Sequence, residues 1–293
     1  MIPDAARAMW AKTDRSFRAM ETTAWLSLPQ HLSDTQVTAG WLWDYHLTRP
    51  LRAAVAAGYG CSEDTARSIY VFAAALHDVG KAASRWSWKY AAIGTGETWN
   101  VIRSGMHDAG IDHINAEESA QSFFQHEEWS AALIRHWAGC DTLPRLVRDS
   151  IATAVAGHHS RVVDMQRVTT AQHMLRTDSL SAERWVDAAL SMCEHFYLAS
   201  GLSRATDMTN TVGDQVTALL TQLVILADHL ASNELLFPYT STGTDIDGGL
   251  RYERARGLIT FGPSHRATGG VGAVVVSEMD VKFPLLFSRG FTR

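Results

Sequence analysis

Residues 70–81 read YVFAAALHDVGK, and this stretch decides the fold. Seven apolar residues, Tyr70 to Leu76, run without a polar interruption into His77 and Asp78. Ile69, Phe72 and Leu76 recur at three- and four-residue steps, the spacing of a helix with a buried face. Gly80 suits a helix C-cap, where a left-handed backbone is needed. An apolar helix thus presents an imidazole and a carboxylate side by side at its end. The two oxygens of that carboxylate can bridge two ions, and Lys81 supplies a positive charge suited to a phosphate. A His-Asp pair alone is a common spelling. Its weight comes from the rest of the chain.

Outward from this helix the pattern stays helical from about residue 34 to residue 235. Val37, Trp41, Leu42 and Tyr45 make one apolar face, and Leu146, Val147, Ile151, Ala154, Val155 and His158 make another. Leu219, Leu220, Leu223, Val224, Ala227, Leu230 and Ala231 make a further one. Residues 91–125 read as a looser insertion with weak periodicity. After Pro238 the character changes: TSTGTDIDGG is turn-rich, GPSHRATGGVG is glycine-kinked, and VGAVVVSEMD and VKFPLLF suggest short strands. The expectation is an all-α bundle over residues 1–245 with a short β-leaning C-terminal tail, residues 246–293.

Polar residues recur where these apolar faces end. Gly157-His158-His159 closes the helix that begins near Leu146, and two consecutive imidazoles there can converge once the backbone leaves helical geometry. Asp228 sits inside the apolar stripe LVILADHLASNELLF, where a carboxylate is costly unless paired or metal-bound. His229 beside it leaves open a helix face turned to water. His31 precedes Ser33 and Asp34, plausible helix starters, and His126 also stands near a helix start. Each histidine singly has an ordinary structural explanation. The order His31, His77-Asp78, His126, His158-His159, Asp228 is different, because it supplies seven nitrogen and oxygen ligands, the composition a two-ion hydrolase needs.

Composition narrows the alternatives. The chain has 293 residues, 46% of them hydrophobic and 19% charged, which permits a large core and argues against a disordered tail as its main content. A net charge of -5 excludes a protein that grips nucleic acid by a basic surface alone. Cys61, Cys140 and Cys193 are odd in number and form no CxxC pair, so neither a disulfide framework nor a thiolate zinc site is expected, and the cytoplasm is the natural compartment. The start lacks a signal-peptide pattern. The longest greasy stretch, Ala218 to Ala231, is too short to span a bilayer.

His77-Asp78-Val79-Gly80-Lys81, the segment from His126 to Ser130, Ala156-Gly157-His158-His159, and Leu226 to Glu234 followed by Phe237-Pro238 together resemble the HD nuclease of type I CRISPR interference. The likeness runs from about His31 to Tyr239. The Ala-Asp-x-x-Ser-Asn-Glu stretch before Phe-Pro is its most specific part. The resemblance implies an HD-domain helical bundle that cuts single-stranded DNA with two divalent transition-metal ions (manganese, iron, cobalt or nickel). It implies a helicase partner in cis or trans and the Cascade surveillance complex. One ion would be held by His31, His77, Asp78 and Asp228, and the other by Asp78, His126, His158 and His159. Asp78 would bridge the two ions and Lys81 would contact the scissile phosphate. Three positions depart from the family's usual pattern: Trp86-Ser87 stands for Phe-Gln, His229 for Trp, and Ser160 for Gly. No GxxxxGK[ST] loop occurs, so a P-loop motor is not encoded in these residues. The chain reads as an excised nuclease domain or a stand-alone version.

Two other readings stay open: an HD phosphohydrolase acting on nucleotides or cyclic dinucleotides, and a catalytically silent docking module. His107-Asp108 repeats the His-Asp spelling but reads as a loop feature. His113 competes with His126 for one ligand slot. His46, His136, His173, His195 and His265 have no supporting pattern. Trp86 and Trp88 are either base-stacking or core residues.

Overall fold

The computed structural model describes residues 2–14, 24–83, 86, 96–111, 125–160, 164–177, 183–213, 215–240, 251 and 253–255. In chain order these form α1 (Asp4–Arg7), β1 (Trp10–Thr13), β2 (Trp25–Ser27), α2 (Leu28–Tyr45), α3 (Arg49–Tyr59) and α4 (Glu63–Leu76). Then follow α5 (Glu97–Asp108), α6 (His126–His136), α7 (Arg145–Ala156), α8 (Met165–Thr177), α9 (Glu183–Ser200) and α10 (Val216–Ala231). The chain is a helical bundle with a single two-stranded ribbon among the described residues. None of these helices is long and apolar enough to cross a membrane.

Helix α4 is the central element, packed against α2, α3, α7, α9 and α10. Its start is set by Ser62, whose Oγ accepts the Thr65 N–H at 3.3 Å, and by Glu63 and Asp64 in the first turn, where the helix dipole favours anions. From Ile69 to Leu76 every residue is buried. Each large apolar side chain there contributes about 1.5–3 kcal/mol of burial, while Ala73, Ala74 and Ala75 let neighbouring helices approach closely. Polar ties fix the neighbours: the Tyr70 hydroxyl donates to the Leu223 carbonyl at 2.9 Å, and Tyr59, Ser150 and Thr217 form a hydroxyl chain linking α3, α7 and α10.

Three elements differ from the sequence expectation. Residues 97–108, read as part of a loose insertion, form α5, which buries Thr98, Trp99, Ile102 and Met106. His107 and Asp108 therefore end a helix rather than sit in a loop. Helix α2 starts at Leu28 with Ser27 as its N-cap and Pro29 in the first turn, so Ser33 and Asp34 lie inside the helix and His31 in its opening turn. Before it comes the ribbon, β1 antiparallel to β2, with Trp25 also bridged to Thr240. The strands anticipated beyond residue 270 lie outside the described residues.

Asp34 has its own partner. Arg251 donates to Asp34 Oδ2 at 2.8 Å and to the Pro238 carbonyl at 2.9 Å, and both charged residues are buried. Gln30 adds a bond to Asp34 Oδ1 at 2.8 Å. Residue 251 is thereby seated on α2, one helical turn from His31.

Candidate metal centre

At the end of α4 the chain tightens. His77 is the C-cap, Asp78 follows with φ -108°, and Val79–Ala82 form a 3-10 turn. Gly80 is not a left-handed cap, since it is absent from the positive-φ glycines. It is glycine because the turn presses on α6. A Cβ there would lie 2.0 Å from the His126 carbonyl oxygen and 2.5 Å from the Ser130 nitrogen. The Gly80 N–H donates to Ser130 Oγ at 2.8 Å, and Ser130 Oγ donates to the His126 carbonyl at 3.0 Å. The start of α6 is held in turn by Glu128, which accepts the Gln125 N–H at 2.9 Å and a bidentate pair from Arg167. His126 is thus locked against the His77-Asp78 turn.

The remaining candidates arrive at other helix ends. His31 comes from the first turn of α2, Asp228 from the last turn of α10, and His158 and His159 follow α7. Ser160 closes that turn with φ 58°, the left-handed region that favours glycine.

The structure brings all seven sequence-nominated ligands together, in two groups that share Asp78. His31, His77, Asp78 and Asp228 make one group, and Asp78, His126, His158 and His159 make the other. Within each group the ligand atoms lie within 4.8 Å of one another. Asp78 divides its oxygens between them. Oδ2 lies 3.1 Å from His31 Nε2 and 3.3 Å from His77 Nε2, while Oδ1 lies 3.0 Å from His126 Nε2 and 3.5 Å from His158 Nε2. Asp228 Oδ1 stands 3.4 Å from His31 Nε2 and 3.3 Å from His77 Nε2, with Ser232 Oγ donating to it at 2.7 Å. His31, His77, Asp78 and His158 are buried, and His159 is exposed, so the second group opens to solvent.

The ring tautomers suit a cation. His77 Nδ1 lies 2.8 Å from the Ala74 carbonyl, and His158 Nδ1 lies 2.7 Å from that of Val155. A carbonyl only accepts, so both Nδ1 atoms carry a hydrogen, and each ring in its neutral form turns an Nε2 lone pair to the cluster. His77 Nε2 then meets His31 Nε2 at 3.2 Å, and His126 Nε2 meets His159 Nε2 at 3.0 Å. His158 Nε2 and Asp78 Oδ1 are buried without a hydrogen-bond partner. Converging lone pairs with orphaned buried acceptors fit positive charge between them, as does the imidazole-rich donor set.

Electrostatics agree. Despite desolvation, Asp78 stays well below the usual carboxylate range because Lys81 and His77 face it, and Asp228 does so because of Lys12 and His77. Burial pushes His126 down to about 3 and His159 to about 4, and it lowers His31 as well. Neutral imidazole is the form that ligates a metal. Burial also opposes charge on His77, but Asp78 and Asp228 outweigh it and raise that group to about 9. Lys81 is buried, lowered by desolvation, and donates to Asp78 Oδ2 at 2.6 Å and to the Ala11 carbonyl at 3.3 Å.

One neighbour had no sequence signal. Lys12 of β1 reaches Asp228 Oδ1 at 3.5 Å. Trp86 is half-buried, 4.7 Å from the His126 ring and stacked on Trp10 at 5.8 Å, with Lys81 Nζ 5.2 Å above its own ring. It is both wall and core. His46, His107, His136, His173 and His195 belong to neither ligand group. Trp88, His113 and His265 lie outside the described residues.

Comparison with known proteins fits this geometry. The family described as Cas3, HD domain matches residues 10–237. A CRISPR-associated nuclease/helicase Cas3 of Streptococcus thermophilus is 24% identical over 250 residues, covering 81% of this chain and 26% of that protein. The chain thus spans about a quarter of that relative's length. The Thermus thermophilus Cas3 HD domain, crystallised in the presence of Ni2+, superposes with TM-score 0.57 at 22% identity, covering 88% of this chain and 91% of that one. A chain of a CRISPR RNA-guided surveillance complex, pre-nicking, gives TM-score 0.57 at 18% identity, covering 94% and 29%. At these identities the two structures speak for the fold alone. The chain belongs to the Cas3 HD domain family.

Proposed function

We propose that this Cas3-family HD domain is a metal-dependent nuclease that hydrolyses single-stranded DNA during type I CRISPR interference. The observation that carries the reading is the sharing of Asp78 between two ligand groups, one completed by the buried imidazoles of His31 and His77 with Asp228, the other by His126, His158 and the exposed His159. His31, His77, Asp78 and Asp228 would hold one divalent transition ion, and Asp78, His126, His158 and His159 a second. Two such ions lower the pKa of water and neutralise charge growing on phosphate oxygens.

The chain's own residues do the rest. The carbonyls of Ala74 and Val155 hold Nδ1 of His77 and His158, so neither ring has to reorient to turn Nε2 toward an ion. Ser232 holds the Asp228 carboxylate in place. Lys81 adds a fixed positive charge beside Asp78 and strengthens the field that meets the phosphate. The opening at His159 admits a strand, and a flexible single strand bends into a recessed cage more readily than a duplex. Trp86 offers an aromatic face beside that opening for a base.

A helicase and the Cascade complex are the proposed partners, supported by the name of the Streptococcus relative and by the surveillance-complex structure. The three cysteines are free thiols, as suits a cytoplasmic protein. A release assay comparing single-stranded DNA, deoxynucleoside triphosphates and cyclic dinucleotides tests the substrate. Preferential turnover of either nucleotide class would overturn the nuclease reading. Elemental analysis tests the metals, and a protein that takes up no transition metal would be a docking module instead.

A further inference from the structure

Charge around the cluster is lopsided. The oxygens facing His31 and His77, Oδ2 of Asp78 and Oδ1 of Asp228, are also the ones that lysines reach: Lys81 at 2.6 Å and Lys12 at 3.5 Å. The two ammonium groups are held differently. Lys81 is packed inside and donates to Asp78 and to the Ala11 carbonyl. The Lys12 side chain keeps 23% of its surface exposed, and its contact with Asp228 is long.

The backbone places Lys12 deliberately. β1 pairs Trp10 with Ser27 and Lys12 with Leu26, so two steps on β1 answer one on β2, and Ala11 is the extra residue of a β-bulge. In a regular strand Trp10 and Lys12 would point to the same face. The bulge separates them. Trp10 enters the core against Trp86 and Trp99, while Lys12 turns to Asp228. The same bulge presents the Ala11 carbonyl to Lys81. One irregularity in a short ribbon therefore sets both lysines, one fixed inside and one at the solvent side.

We infer that Lys12 is a phosphate-binding residue of this site, its ammonium taking a non-bridging oxygen of the substrate phosphodiester. The inference rests on the metal-hydrolase reading. An ion bound among His31, His77, Asp78 and Asp228 competes with Lys12 for Asp228 Oδ1. The displaced ammonium, partly exposed and carrying three donors, then stands beside the ion where a phosphate arrives. Had Lys12 served only to offset Asp228, its removal would favour the metal and leave anion binding unchanged.

The test uses the full chain loaded with cobalt(II), with inorganic phosphate as the probe and the visible cobalt spectrum as the readout. Lys12→Gln should retain the wild-type cobalt content and bind phosphate about tenfold more weakly, the loss of one charge-assisted hydrogen bond. Phosphate affinity within about twofold of wild type, or loss of cobalt together with phosphate, would overturn the inference. A wild-type protein that takes up no cobalt would instead sink the metal reading and this inference with it. A second measurement needs no variant. Amine-reactive labelling mapped by mass spectrometry should show phosphate slowing modification of Lys12 several-fold in the cobalt-loaded protein, and an unchanged rate would also overturn it.

Discussion

Replacing Gly80 with alanine adds one methyl group, and the structure says where it goes. The new Cβ would stand 2.0 Å from the His126 carbonyl oxygen, 2.5 Å from the Ser130 nitrogen and 2.9 Å from Ser130 Oγ. Two of these are backbone atoms of α6, which cannot rotate away. Restoring ordinary contact requires the turn and the helix to part by about 1.4 Å, an overpacking strain at the upper end of the usual 1–3 kcal/mol. At the size of this domain that is roughly 5–10 °C of melting temperature. The same separation pulls His126 Nε2 away from Asp78 Oδ1, now 3.0 Å apart. The hydrogen bond from Gly80 to Ser130 goes with it. The group built on His31, His77 and Asp228 sits on the other side of Asp78 and does not feel the push directly. Gly80→Ala should therefore lose one of two ions, read by elemental analysis after equilibration with manganese or cobalt, and should melt earlier. A variant that keeps both ions and the wild-type melting temperature would refute the claim that close approach, rather than backbone freedom, selects glycine here.

Other expectations follow from the same geometry. Asp78→Ala should empty both ion positions and abolish DNA cleavage while far-ultraviolet circular dichroism stays helical, whereas His31→Ala should cost one ion; equal metal loss in the two variants would count against a shared carboxylate. With His77 raised to about 9 by Asp78 and Asp228, an ion entering below that pH must displace a proton. Metal affinity should thus fall about tenfold per pH unit below 9 and level off above it, and a flat pH profile in metal titrations would contradict this. Ser160→Gly should stabilise the fold by up to about 1 kcal/mol by relieving a left-handed serine, measurable by denaturant unfolding; a destabilised variant would show that the serine side chain matters more than its backbone. Arg251→Met leaves the Asp34 carboxyl, already pushed up by burial, without its main partner, a loss of at most about 3–5 kcal/mol, and unchanged thermal unfolding would show that the pair is dispensable.

Much of this architecture could be read in the residues because helices with one apolar face carry their period openly. Ile69, Phe72 and Leu76 announce α4, and the leucines and valines from 219 to 231 announce α10. The candidate ligands were legible for a related reason: polar residues stand at the ends of those stripes, where burial would otherwise exclude them. The ribbon was not. Four residues of β1 and three of β2 are too few for alternation to register, and the bulge at Ala11 breaks the little alternation there is. Lys12 was hidden by that break. Helix α5 does carry Trp99, Ile102 and Met106 at helical spacing, but Gly105 and the glycines at 94 and 96 obscure it. At Gly80 two physical causes predict the same residue, and only the neighbouring helix distinguishes them.

The candidate ligands sit at the tips of α2, α4, α6, α7 and α10, not along their middles. Tips are where a bundle ordinarily frays, with backbone groups that the next turn does not satisfy. Tied to shared cations, as we propose, five such ends would form a single knot. Starving the protein of metal should then do more than silence it: the five ends come untied together, and a protease should find its first cuts there.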